Sequence, residues 1–215
     1  MKIEVVTLFP KMFEGVLAEG VLGRAVKKKI IKIKTHDLRQ WAWNNYGAVD
    51  DKPFGGGVGM IIRPDVVGKA LAKVGKGWVV ALSAKGKRFD QETAERLAGK
   101  KKLVLLCGRY EGFDQRTLDE ADEVLSVGDF VLSGGEIAAM AVIDAVARLK
   151  KGVLGKDESS REESFSKIGG KREPEYAQYT RPQNYKGKKV PAGLISGDHK
   201  KIEEWRKLKQ GVGKK

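Results

Sequence analysis

An α/β fold around a largely parallel sheet is what this sequence predicts, and three observations predict it. Apolar runs rich in β-branched residues recur at Ile3 to Phe9, Ile30 to Lys34, Trp78 to Leu82 and Leu103 to Cys107. The segments between these runs carry helical spacing instead of further alternation. At 215 residues the chain is long enough for one sizeable core with an appendage, or for two small domains.

The elements follow in order. After the first strand, Pro10 to Ala18 reads as a helix because proline suits a first helical turn. The stretch Pro64 to Val74 reads as a helix for the same reason. Gln91 to Leu97 is a third, with Asp90 as its N-cap. A fourth is expected from Gly135 to Arg148. There Ser133 and Glu136 have capping-box spacing ahead of the apolar series Ile137, Met140, Ala141, Ile143 and Val146. From Lys150 to Lys189 the composition changes to eleven Lys and Arg and six Asp and Glu with few aliphatics, as in a flexible linker. Apolar residues return at Val190 to Ile195. The last stretch is basic and helical in pattern, with Ile202, Trp205, Leu208 and Val212 on one face as a docking stripe.

The formal charge of +14 points to a partner that carries phosphates, nucleic acid first; a lysine-rich surface kept for solubility is the alternative. Cys107 is the single cysteine and sits in an apolar run, so it reads as a reduced core thiol in a cytoplasmic protein. No signal-peptide pattern and no membrane-length apolar stretch stands in the sequence, so neither export nor insertion is expected.

Familiar nucleotide motifs are absent. The loop Gly55-Gly56-Gly57-Val58-Gly59 has no Lys-Ser or Lys-Thr after it, and Ile62 stands where a dinucleotide fingerprint needs its third glycine. Two histidines, His36 and His199, with one cysteine, cannot assemble the usual zinc site, so no metal is expected, and a serine-histidine triad has little to draw on. What remains are glycine clusters at Cys107 to Gly112 and Gly128 to Glu136, each where a strand ends. In an open α/β sheet ligands bind at that edge. Glycine there lets backbone groups approach a nucleoside-like ligand, or simply makes tight turns.

Taken together, several segments closely resemble the bacterial tRNA (guanine-N1)-methyltransferases, the TrmD family of the SPOUT superfamily. They are Leu8-Phe9-Pro10 with Met12-Phe13, Gly23-Arg24-Ala25, Val49-Asp50-Asp51 leading to Pro53 through Gly57, Leu106 to Gly112, Gly128 to Glu136, Ile143 to Arg148, Gly152 to Gly155, Tyr179 to Pro182 and Ser196 to His199. The match runs through nearly the whole chain. It implies a SPOUT-type open, mostly parallel sheet with a C-terminal trefoil knot over residues 1–155, a flexible linker over 156–178, and a shortened basic helical C-terminal segment over 179–215 that binds tRNA. The knot is an exception to the rule against threaded chains.

The resemblance also implies a homodimer whose active site is completed by the second subunit. S-adenosylmethionine would be bent between Leu82 and Ser83, Gly108, Arg109, Tyr110 and Glu111, Ser126, Val127, Gly128, Asp129, Phe130, Val131 and Leu132, and Gly134 with Gly135. The reaction, at the guanosine just 3′ of the anticodon, needs a base for the N1 proton and a cation near O6. By family position the cation is Arg148, which alone would read as a helix cap. The family's base is an aspartate in an Asp-Ser-Phe motif; here Glu163-Ser164-Phe165 stands there, with Glu162 adjacent. The resemblance assigns Asp50, Gly55, Gly56, Gly57 and Arg181 to the substrate, and gives Glu111 a part in substrate binding or proton transfer.

Two further departures stand out. The adenosine loop reads Ser83-Ala84-Lys85-Gly86 where Ser-Pro-Gln-Gly is usual, and the chain ends soon after Trp205-Arg206. From Lys200 to Lys215 seven Lys and Arg against two Glu offer salt-sensitive phosphate contacts in place of a fuller domain. Methylation of another RNA site, or an RNA-binding module without catalysis, are the competing readings. Tyr179 to Pro182 argues against the first, and the complete cofactor loop set with Arg148 against the second.

Overall fold

The computed structural model describes residues 1–154, 163–168 and 171–209. They belong to two compact units, Met1–Gly155 and Lys156–Lys215.

In the first unit β1 (Lys2–Thr7) passes through a 3-10 turn at Pro10–Phe13 into α1 (Glu14–Ala18) and α2 (Gly20–Lys27). Next come β2 (Lys32–Asp37), a short antiparallel pair β3 (Asp50–Asp51) and β4 (Ile61–Ile62), and α3 (Pro64–Val74). Then follow β5 (Trp78–Arg88), α4 (Gln91–Ala98), β6 (Lys102–Cys107), α5 (Gln115–Asp119), β7 (Glu123–Ser126) and α6 (Gly135–Ala147). Five strands form one parallel sheet in the order β2-β1-β6-β5-β7.

Side chains alternate across it. Ile3, Val5, Val80, Leu82, Leu103, Leu105 and Cys107 enter one core with α2, α4 and α6. Val6, Ala81, Val104 and Leu106 enter another with α3. Both faces are therefore covered by helices, which is why these strands read as continuous apolar runs instead of alternating ones.

The expected parallel α/β sheet is present, and α3 and α4 stand where proline and the Asp90 cap put them. Asp90 Oδ1 accepts from the Thr93 amide at 2.8 Å. Three elements differ from expectation. The helix expected over Pro10 to Ala18 starts as a 3-10 turn and is α-helical only from Glu14. The capping box at Ser133 and Glu136 does not form: the N-cap is Gly134, no side chain caps the helix, and Glu136 turns inward. The buried stripe of α6 runs through Ala138, Ala139, Val142, Ile143, Val146 and Ala147, while Ile137 and Ala141 are exposed. An S-x-x-E spacing fixes sequence distance but not which way the glutamate turns, and an interior partner for Glu136 wins.

β5 also runs six residues past Leu82. Its register against β7 shifts so that Leu82 and Lys87 both face Leu125. The chain bulges outward between them, and Gly86 passes so close to Leu125 that a Cβ there would lie 2.6 Å from its backbone. Neither α2, with Gly20 and Gly23, nor the four-residue β7 carries enough period to be read from sequence.

In the second unit β8 (Lys167–Ile168) pairs with β9 (Lys171–Arg172), and β10 (Asn184–Tyr185) with β11 (Lys188–Lys189). Lys186 and Gly187, both at positive φ, make the two-residue turn of the second hairpin. α7 (Ala192–Ile195) and α8 (His199–Lys209) follow; the Asp198 carboxylate accepts from the Lys200 amide at 3.0 Å. Trp205 lies edge-on to Tyr176 and Tyr179. Of the expected stripe, Ile202 and Trp205 are half-buried and Leu208 is exposed, while Val212 lies outside the described residues. The part of the expected linker at 156–162, 169 and 170 also lies outside them.

Candidate active site

The carboxyl ends of β5, β6 and β7 open into a cleft of about 230 Å³. Three loops build it. Leu82 is buried at the end of the apolar part of β5, and Ser83 Oγ accepts from the Lys85 amide at 3.3 Å. After β6, Gly108, Arg109, Tyr110 and Glu111 turn sharply, with Tyr110 at φ +59 and the Gly112 amide donating to Arg109 O at 3.0 Å. After β7, the Ser126 hydroxyl donates to Gly128 O at 2.9 Å and holds that turn, while Phe130 and Val131 stand exposed.

The start of α6 closes the back. The Gly135 amide donates to Gly108 O at 2.8 Å, and a Cβ on Gly135 would meet Cys107 Cα at 2.8 Å. Two loops thus touch backbone to backbone, which only glycine permits. Every residue expected to hold the cofactor lines this cleft except Gly128 and Asp129. Leu125, Phe113 and Ala138 give it an apolar wall that the sequence reading did not name. Burial pushes the Cys107 thiol well above its ordinary pKa, so behind the cleft it is a packing residue, not a nucleophile.

The substrate candidates fall in two places. Asp50 lies in β3, half-buried and paired in register with Ile62. Gly55, Gly56 and Gly57 form an exposed loop at positive φ beside Phe54, which is fully exposed. That loop ends against the cleft: Gly59 packs on the Glu111 side chain, and the Glu111 amide donates to Met60 O at 3.0 Å. Arg181 is exposed in the second unit, where a separate cavity of about 570 Å³ has Tyr176, Tyr179 and Arg206 on its walls.

The catalytic candidates do not meet in one unit. Arg148 caps the far end of α6, its amide donating to Asp144 O at 3.1 Å. The 13 residues of that helix put it about 20 Å along the axis from Gly135. Glu163 belongs to the second unit, half-buried, with its carbonyl accepting from the Ser166 amide at 3.0 Å. Glu162 lies outside the described residues. Among the described residues no group of three or more His, Cys, Asp or Glu could hold a metal ion, and no helix is long and apolar enough to cross a membrane.

Sequence reasoning missed one buried constellation. Glu136, fully buried, accepts from the Thr7 hydroxyl at 2.7 Å and from Arg109 Nε at 2.8 Å. The only signal for it was a glutamate beside two glycines, which the capping-box reading absorbed.

An open parallel sheet with helices on both faces and a glycine-lined cleft at its carboxyl edge defines an α/β protein that binds a small ligand there. The sequence profile described as tRNA (Guanine-1)-methyltransferase TrmD matches residues 1–213. The chain belongs to that family of tRNA-methylating enzymes. It is 46% identical over 211 residues to the tRNA (guanine-N(1)-)-methyltransferase of Anaeromyxobacter sp. (strain Fw109-5), covering 96% of this chain and 84% of the relative. With the protein of the same description from Alkaliphilus oremlandii (strain OhILAs) identity is 48% over 219 residues, covering 96% and 86%. For Rhodopirellula baltica it is 46% over 213 residues, covering 96% and 87%.

Proposed function

We propose that this chain uses S-adenosylmethionine to methylate N1 of the guanosine immediately 3′ of the anticodon in tRNA, acting in the cytoplasm as a homodimer with a knotted first unit. The observation that carries the reading is the cleft: almost every position that family resemblance assigns to the cofactor converges on one glycine-lined hollow at the sheet's carboxyl edge. Its chemistry suits the group. Leu82, Leu125 and Ala138 offer an apolar wall to an adenine ring, and the glycine-rich loops at Gly108 and Gly134 line the same cleft. When bound there, S-adenosylmethionine supplies a methyl group on a sulfonium, which makes a strong electrophile.

The protein's own task is to make guanine N1 a nucleophile. Glu163 takes the N1 proton onto its carboxylate, freeing the lone pair that forms the new N–C bond while the S–CH3 bond breaks and its electrons return to sulfur, which leaves as a neutral thioether. Negative charge that gathers on O6 meets the guanidinium of Arg148. Because Arg148 sits a helix-length from the cleft of its own copy, the reading assigns it to the cleft of a second copy. Exposed Phe9, Met12, Val16 and Ile137 supply an apolar face for that pairing. Asp50, the loop Gly55 to Gly57 and Arg181 hold the RNA, and the basic C-terminal stretch adds phosphate contacts that weaken with salt.

The test is methyl transfer from labelled S-adenosylmethionine to tRNA transcripts with and without the guanosine after the anticodon, for wild type and Glu163→Gln. Transfer that needs the guanosine and falls by about a hundredfold or more in the variant supports both substrate and base. Guanosine-dependent transfer that survives moves the base to Glu162 or Glu111. No transfer to either transcript overturns the reading.

A further inference from the structure

Glu136 occupies the second residue of α6, where a glutamate ordinarily faces solvent and complements the helix dipole. Here it is turned inward and its side chain is 1% exposed. A carboxylate is costly to bury unless its oxygens are satisfied, and both are. One oxygen takes the Thr7 hydroxyl at the end of β1, and that hydroxyl in turn accepts from the Phe9 amide at 2.9 Å. The other takes Arg109 Nε, in the loop after β6.

The guanidinium spans more than the ion pair. Its Nη1 donates to Ser133 O at 3.1 Å, it lies 4.4 Å from the Phe9 ring centroid, and it fills the space that a side chain on Gly134 would need. The ends of β1 and β6 and the start of α6 are therefore joined through one buried carboxylate. Gly108 and Gly134, at the two ends of this brace, both line the cleft.

We propose that Glu136 is a positioning residue for the cofactor: through Arg109 and Thr7 it fixes the separation of the 108–112 and 133–135 loops and thereby sets cofactor affinity. The proposal rests on the reading that the cleft holds S-adenosylmethionine. Glu136 touches no reacting atom, so its loss acts on cofactor binding and leaves the chemical step at saturating cofactor near wild type.

Two variants and two readouts decide it. In Glu136→Gln, which leaves the Arg109 charge uncompensated, the dissociation constant and the KM for S-adenosylmethionine rise about tenfold or more, while kcat stays near wild type. Thr7→Val removes one neutral leg and raises both about threefold. Independently of any ligand, hydrogen exchange of the free protein speeds up at 108–112 and 133–136 together in Glu136→Gln and not in the strands.

A folded Glu136→Gln protein with unchanged exchange and unchanged affinity overturns the proposal. So does one whose kcat falls with KM unaltered and whose exchange rises everywhere, since that marks a residue needed only for stability. If Glu136→Gln does not fold, Thr7→Val decides by the same criteria. A wild-type protein that binds no S-adenosylmethionine fails the functional reading instead, and the exchange measurement still judges the brace.

Discussion

At the amino ends of the strands the sheet is closed off by long side chains, whereas at the carboxyl ends one buried ion pair, Glu136 with Arg109, stands behind an open cleft lined by glycine-rich loops. On the amino side Glu123 binds Arg96 through both its oxygens and accepts from Trp78 Nε1, Lys100 covers the Trp78 ring at 3.2 Å, and Lys102 Nζ donates to Val74 O at the end of α3. On the carboxyl side Gly135 packs directly on the Cys107 and Gly108 backbones, and Tyr110, Phe130 and Val131 stand exposed beside the hollow. Both ends hold satisfied charges, but only the carboxyl end also presents an open cleft. The same five strands thus separate the work of stability from the work of binding.

Three substitutions sharpen or break that separation. The largest effect is expected from Gly135→Ala, whose new methyl would press on the Cys107 and Gly108 backbones. Overpacking there costs about 1–3 kcal/mol of stability, read by thermal unfolding. Displacing the loops by even an ångström lowers methyl transfer about a hundredfold. Near-normal activity in this variant would show that the cleft does not depend on this backbone contact.

Glu123→Gln, at the other end, is expected to lose about 1 kcal/mol of stability at neutral pH and no activity. The Arg96 guanidinium holds the Glu123 carboxyl below the ordinary glutamate range. A lowered folded pKa stabilises fully above the unfolded value of about 4.3 and is lost as pH falls through the folded one. The gap between wild type and variant in denaturant titrations should therefore begin to narrow below about pH 4.3 and close only as the folded carboxyl itself protonates. A gap that persists in acid would assign the effect to packing instead. The smallest change is Lys100→Ala, which removes a cation from the exposed side of Trp78 and should cost below about 1 kcal/mol with activity intact.

The core was largely legible in the sequence because local rules govern it. Val104, Leu105 and Leu106 announce a strand buried on both faces, and Asp90 announces the helix it caps. The glycine clusters marked the cleft, since backbone approach leaves glycine behind. What was not legible depends on long-range partners. Glu136 pairs with Thr7 across 129 residues of sequence, and no spacing within its own helix encodes that choice. The outward bulge at Ser83 to Gly86 hides in the same way: it follows from how closely Gly86 passes Leu125, not from any local period.

Helix α6 places a cleft residue at one end and Arg148 at the other. On the two-copy reading each helix then serves two separate sites, its own cleft and its neighbour's. Defects at opposite ends of the helix should complement one another. Gly135→Ala and Arg148→Ala chains, each inactive alone, would form mixed pairs in which one site carries both lesions and the other carries none. After unfolding and refolding an equal mixture, random pairing restores about a quarter of wild-type turnover. A chain that works by itself would show no such recovery.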